Sequence, residues 1–145
     1  MTTVRYFEDV HEGTELPPLT KVISTTQMMM YGAATWDFMR IHSDADYARQ
    51  RGFPGPFVDG QMLGAFLAQL AVDWAGDPSA LKRLSVRYRN FVFAGDIVIC
   101  KGKVTHKATD GAEGLVTCEL VAENQHGDVV AGPASADLAL PRKQS

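Results

Sequence analysis

The run from Phe57 to Trp74 constrains this chain most. Its apolar positions include Phe57, Leu63, Phe66, Leu67, Leu70, Ala71 and Trp74; spacings of three and four recur, and polar breaks such as Gln61, Gln69 and Asp73 are few. The pattern predicts a mostly buried helix, ended by Gly76-Asp77-Pro78. Such a helix must be wrapped by other elements. The residues after it supply them with a different period. Leu84, Val86, Tyr88 and Asn90 alternate with Arg83, Ser85, Arg87 and Arg89. Further strands are expected over Ile97 to His106, Leu115 to Glu123 and Val129 to Leu140. The turns fall at Ala94-Gly95-Asp96, Thr109-Asp110-Gly111 and His126-Gly127-Asp128. Long strands on short turns predict an antiparallel meander. Upstream, Thr14 to Ile23 reads as a further strand, which Pro17-Pro18 restricts to an edge.

The economical fold is α+β, a curved antiparallel sheet wrapped around one long helix. At 145 residues, 46% hydrophobic and 21% charged, the chain is expected to form a single domain over 1–145, with its core at about 6–140. A two-layer fold of this size leaves sheet edges open, for which dimerisation is the usual remedy. The polar tail Pro141 to Ser145 is expected to fray. A net charge of −3 gives no reason to expect nucleic acid or an anionic membrane as partner. No apolar run is long enough for a membrane span, and the first nine residues lack a signal-peptide core. Cys100 and Cys118 then read as buried thiols in a reducing, cytoplasmic setting. His11, His42, His106 and His126 are scattered without zinc-site spacing, so no metal is expected.

Between the first strand and the long helix lies Trp36-Asp37-Phe38-Met39-Arg40-Ile41-His42-Ser43-Asp44. On one continuous helix Asp37 and His42 would point roughly 140° apart. The chain offers a break instead. Ser24-Thr25-Thr26 can cap a helix running from Ser24 to Asp37, and Ser43 and Asp44 can cap a second one through Asp46-Tyr47-Ala48-Arg49. The connector then turns a carboxylate and an imidazole to one pocket, a pair suited to chemistry on water. The same spacing also fits a capping aspartate beside an ordinary loop histidine. The cluster Met28-Met29-Met30-Tyr31 reads as core packing, with a methionine-lined acyl pocket as the alternative. Arg51-Gly52-Phe53-Pro54-Gly55-Pro56 forms a tight loop into the long helix.

Taken in order, these residues resemble the MaoC-like hydratases of the hot-dog fold, the (R)-specific enoyl-CoA hydratase group. The resemblance spans roughly Tyr6 to Leu140. It rests on Asp37, four residues, His42, then Asp44 and Ala48; on the loop Gly52-Phe53-Pro54-Gly55-Pro56; on Gly60-Gln61-Met62-Leu63 opening the long helix; and on the strand Leu84 to Phe93 with Gly95-Asp96. There are departures. The Asn-Pro pair common inside the motif is absent, and Asp59 stands where many members carry a histidine. Asp37-Phe38 through His42, with Asp73-Trp74-Ala75-Gly76, looks closer to an actinobacterial-type branch that includes hydratase subunits for bulky CoA thioesters such as steroid side chains.

The resemblance implies reversible addition of water across a trans-2-enoyl thioester, without a cofactor. Its implied residues are His42 and Asp37 on the water and the Gly60 N–H on the thioester oxygen. The acyl chain is expected along the long helix, lined by Leu63, Phe66 and Leu67, with Met30, Tyr31 and Phe57 nearby. Gly64, Ala65 and Ala68 could make room for bulk. Arg83, Arg87, Arg89, Lys101 and Lys103 could meet phosphates, or simply populate a solvated sheet face. Asp44 is expected to be a helix cap and Asp59 a structural hydrogen-bonding residue. The implied substrate is an acyl-CoA, or an acyl carrier protein thioester. The implied assembly is a homodimer or a hetero-oligomer with another hot-dog subunit. Two other readings fit the same scaffold, a hot-dog thioesterase and a non-catalytic acyl-binding subunit.

Overall fold

In the computed structural model, residues 3–144 are described. The long helix, α3 (Gly60–Ala75), buries Met62, Leu63, Phe66, Leu67, Leu70, Ala71 and Trp74. Their spacing of three and four puts them on adjoining faces, and α3 touches all five strands. Asp59 caps it, its carboxylate accepting from the Gln61 N–H at 2.9 Å. Gly76 ends it at φ 76°, where a side chain would be strained. Leu67 is fully buried; truncation to alanine there costs about 2–5 kcal/mol.

The sheet is a single antiparallel one. Its strands are β1 (Glu15–Val22), β2 (Leu81–Tyr88), β3 (Ile97–Asp110), β4 (Glu113–Glu123) and β5 (Val129–Pro141), in spatial order β1-β3-β4-β5-β2. β1 is an edge strand, as Pro17-Pro18 requires, and its register shifts between Leu16 and Leu19. The four-strand meander is corrected to three strands. β3, β4 and β5 follow one another, but β2 pairs with β5 at the far edge. The reason is that β1 already occupies the free side of β3, from Glu15↔Lys103 to Val22↔Ile97. The turn at Gly95-Asp96 exists, yet it leads out of a crossing segment rather than a hairpin. The Asp96 carboxylate accepts from the Phe93 N–H at 2.9 Å, and Phe93 bridges to Phe57.

Between β1 and α3 the chain forms α1 (Thr25–Thr35), a short 3-10 turn (Arg40–His42) and α2 (Ala45–Gln50). Ser24 caps α1 by accepting from the Gln27 N–H, and Asp44 caps α2 by accepting from the Tyr47 N–H. Only Met28 of the methionine cluster is buried. Met29 and Met30 are 57% and 67% exposed, so α1 contributes little to the core. The tail is pinned rather than frayed through Lys143: Arg142 pairs with Glu8, and Lys143 with Asp9. Ser145 lies outside the described residues. Both cysteines are buried and free. Among the described residues, no helix is long and apolar enough to cross a membrane.

Candidate functional site

Helix α1 ends on Trp36, whose φ of 61° is left-handed. Among the described residues it is the one non-glycine with positive φ. A glycine is the usual choice at this position because it has no Cβ to clash. The turn it makes lets the Asp37 N–H donate to the Gly32 carbonyl at 2.8 Å. Gly32 is needed there, since a Cβ on it would lie 2.7 Å from the Asp37 carbonyl oxygen. The chain then doubles back. Asp37 Oδ1 accepts from the Met39 N–H at 3.0 Å, leaving Oδ2 to face inward.

His42, on the 3-10 turn, meets that oxygen. Its Nε2 lies 3.9 Å from Asp37 Oδ2, with the two side chains 16% and 29% exposed. Its Nδ1 lies 2.7 Å from the Phe57 carbonyl oxygen. A carbonyl oxygen only accepts, so Nδ1 carries the proton and the neutral ring keeps its lone pair on Nε2. The Phe57 ring stands edge-on to the imidazole at 5.3 Å. The 3.9 Å gap is too long for a direct hydrogen bond and suits one water held by both groups.

Asp37, His42, Asp59 and Tyr31 line a cavity of about 240 Å³ whose other walls include Met28, Met29, Phe38, Met39 and Met62. A second cavity of about 270 Å³ lies along the start of α3, lined by Phe57, Gly60, Leu63, Tyr88, Arg89 and Phe91. Asp59 lines the first cavity and Gly60 the second, so the peptide that joins them lies between the two. The Gly60 N–H has no acceptor among the described residues. Tyr88 lies flat on the glycines of α3: a Cβ on Gly60 would lie 3.3 Å from its ring, and one on Gly64 2.8 Å from its hydroxyl. Burial, followed by the negative charge of Asp59, raises the phenol pKa of both Tyr31 and Tyr88, so both remain donors at neutral pH.

Several expected residues lie elsewhere. Phe66 and Leu67 are packed in the core at 7% and 0% exposure and line neither cavity, and Met30 points to solvent. Gly64 makes room for Tyr88 rather than for a ligand, and Ala65 is exposed. The basic residues do not gather: Arg83 and Arg87 sit on β2 and Lys101 and Lys103 on β3, with β4 and β5 between them. Lys101 is paired with Glu123 at 2.7 Å, and Arg89 Nε donates to the Gly132 carbonyl. Sequence reasoning did not find the Phe57 carbonyl or the roles of Gly32 and Trp36. A glycine inside a helix was the one available signal for Gly32.

Asp37, His42 and Asp59 each place one potential ligand atom within 4.8 Å of the others. That spread is wider than the roughly 3.4 Å kept between ligands of a tetrahedral zinc ion. The arrangement fits a water and a proton better: one lone-pair nitrogen, two carboxylate oxygens, and a separate free N–H at a helix start.

Residues 7–125 match the family described as MaoC like domain. The "3-oxo-4,17-pregnadiene-20-carboxyl-CoA hydratase beta subunit" of Mycobacterium tuberculosis is 30% identical over 128 residues, which cover 88% of this chain and 95% of that protein. A chain in the crystal structure of the ChsH1-ChsH2 complex from Mycobacterium tuberculosis superposes with TM-score 0.78 at 31% identity, covering 90% of this chain and 98% of that one. The R-hydratase PhaJ1 of Pseudomonas aeruginosa shares the fold, with TM-score 0.86 at 20% identity over 95% of this chain and 86% of its own. An Asp–His pair turned onto one cavity, beside a long helix wrapped by a five-stranded sheet, is thus found in a chain that belongs to the MaoC-like hydratase family of the hot-dog fold.

Proposed function

We propose that this protein adds water reversibly across the double bond of a trans-2-enoyl-CoA thioester, giving a 3-hydroxyacyl thioester. One observation carries the reading. The Phe57 carbonyl holds His42 in the tautomer whose Nε2 lone pair faces Asp37 Oδ2 across 3.9 Å. In the proposed reaction, a water between these groups gives its proton to Nε2 as its oxygen bonds to C3. The electron pair of the double bond shifts toward the thioester, whose oxygen gains negative charge. The free Gly60 N–H, at the positive end of α3, receives that charge. The proton then passes to C2, with Asp37 holding the water and sharing the transfer. Nothing else is consumed, and dehydration runs the same steps backward.

The apolar walls of the cavity, with Met29, Phe38 and Met39 more than half exposed at its edge, suit a bulky hydrocarbon acyl group. The CoA ester and steroid-like bulk in the name of the Mycobacterium relative favour the same choice. The partner would be a second hot-dog subunit docked on β2. The β1 edge carries Pro17 and Pro18, which offer no N–H, whereas β2 is an unblocked edge with Tyr88 and Phe91 exposed beside it. Such pairing would lay the second subunit against the Gly60 cavity.

The test is the absorbance of the enoyl-thioester band with a short and a bulky trans-2-enoyl-CoA, for wild type, Asp37→Asn and His42→Ala. Loss of the band in wild type alone, with a 3-hydroxyacyl product and no free thiol, is expected. Equal rates in the variants would overturn the site, and thiol release would mean hydrolysis instead. Light scattering after size exclusion should give twice the monomer mass, or a monomer that becomes active only with another hot-dog chain.

A further inference from the structure

Asp59 has two oxygens and only one structural task. Oδ1 caps α3 by accepting from the Gln61 N–H at 2.9 Å. Oδ2 has no partner among the described residues. The side chain lines the cavity of Asp37 and His42, and the potential ligand atoms of the three residues lie within 4.8 Å of one another. The Asp59 carboxylate thus shares the cavity in which positive charge develops on His42.

We propose that Asp59 is a positioning residue for hydration: it stabilises the imidazolium that His42 becomes when it takes the proton of the attacking water. The inference rests on the hydratase reading above. A neutral imidazole bears no net charge, so a nearby carboxylate gains little from it before proton transfer. Once Nε2 is protonated, the ring carries a full positive charge between two carboxylates, Asp37 and Asp59. The attraction exists only after proton transfer has begun, so it lowers the barrier without tightening substrate binding. The other titratable groups lining this cavity are Asp37 and Tyr31; Tyr88 faces Asp59 from β2. The two phenols are neutral and leave the charge balance to the three named residues.

The capping role and the charge role separate cleanly. Asparagine and serine cap a helix about as well as aspartate but carry no charge. Asp59→Asn and Asp59→Ser should therefore melt within about a degree of wild type and keep its KM, while kcat falls roughly tenfold. Unchanged kcat in both variants would reduce Asp59 to a cap. A readout free of turnover follows the ring nitrogens of His42 by NMR as acid protonates the ring. Imidazolium should form less readily in Asp59→Asn than in wild type, and coincident curves would overturn the proposal. If wild type hydrates no enoyl thioester, the hydratase reading fails by itself and the NMR comparison still decides whether Asp59 acts on His42.

Discussion

The Phe57 carbonyl oxygen lies 2.7 Å from His42 Nδ1, and this contact decides which nitrogen of the imidazole is free. It spans fifteen residues and ties the segment leading into α3 to the 3-10 turn that carries His42. The turn and that segment therefore fix the ring together: one supplies the histidine, the other its orientation. Asp37 arrives separately, through the left-handed turn at Trp36.

Because Asp37 and His42 act on one water, their removal should not be additive. Asp37→Asn and His42→Gln should each lower kcat by about 10²–10⁴. The double variant should be no worse than the poorer single, since either loss disables the same proton transfer. Steady-state rates on a trans-2-enoyl-CoA check this. Multiplying losses would mean that the two side chains serve different steps.

Gly32→Ala should be more damaging than Gly64→Ala. The methyl at 32 meets a backbone atom, the Asp37 carbonyl oxygen at 2.7 Å, which cannot move without shifting the whole Asp37 turn. The methyl at 64 meets the tip of Tyr88 at 2.8 Å, which can swing aside. We expect a stability loss of about 1–3 kcal/mol for Gly32→Ala, with a large loss of activity. Denaturant melts and rates on the two variants give the comparison.

The two thiols should be inert in the folded protein. Burial pushes Cys100 up to about 11, and Cys118 up to about 12 with help from Asp137. A thiol-disulfide reagent at pH 8 should label neither until the chain is unfolded, since the thiolate is the reactive form. Stability follows from the same shift. In the unfolded chain the thiols lose protons near pH 9, while in the fold they hold them to about 11–12. The unfolded state then binds fewer protons, so stability is intact below pH 9 and declines as pH rises through that window. Tyr31 and Tyr88, both raised, act with the same sign above pH 10. Thermal melts between pH 8 and 11 should show a steady fall, reduced in a Cys118→Ala variant relative to its own value at pH 8.

Local signals in the sequence determined the long helix, the four later strands, the edge placement of β1 and the two helix caps at Ser24 and Asp44. Each depends on periodicity, on capping chemistry or on proline, which act over a few residues. The Asp37 and His42 pair was legible for the same reason, as was the break between helices that brings them together. Tertiary structure decided the rest. β2 crosses to the far edge because β1 fills the place beside β3, a competition between strands distant in sequence. Phe66 and Leu67 became core rather than cavity because the sheet closes over them. Asp59 and Gly60, neighbours in the chain, parted onto two cavities because successive residues at a helix start point in different directions. The free nitrogen of His42 was set by a carbonyl fifteen residues away, and no residue code records where a backbone oxygen will point until the chain has folded.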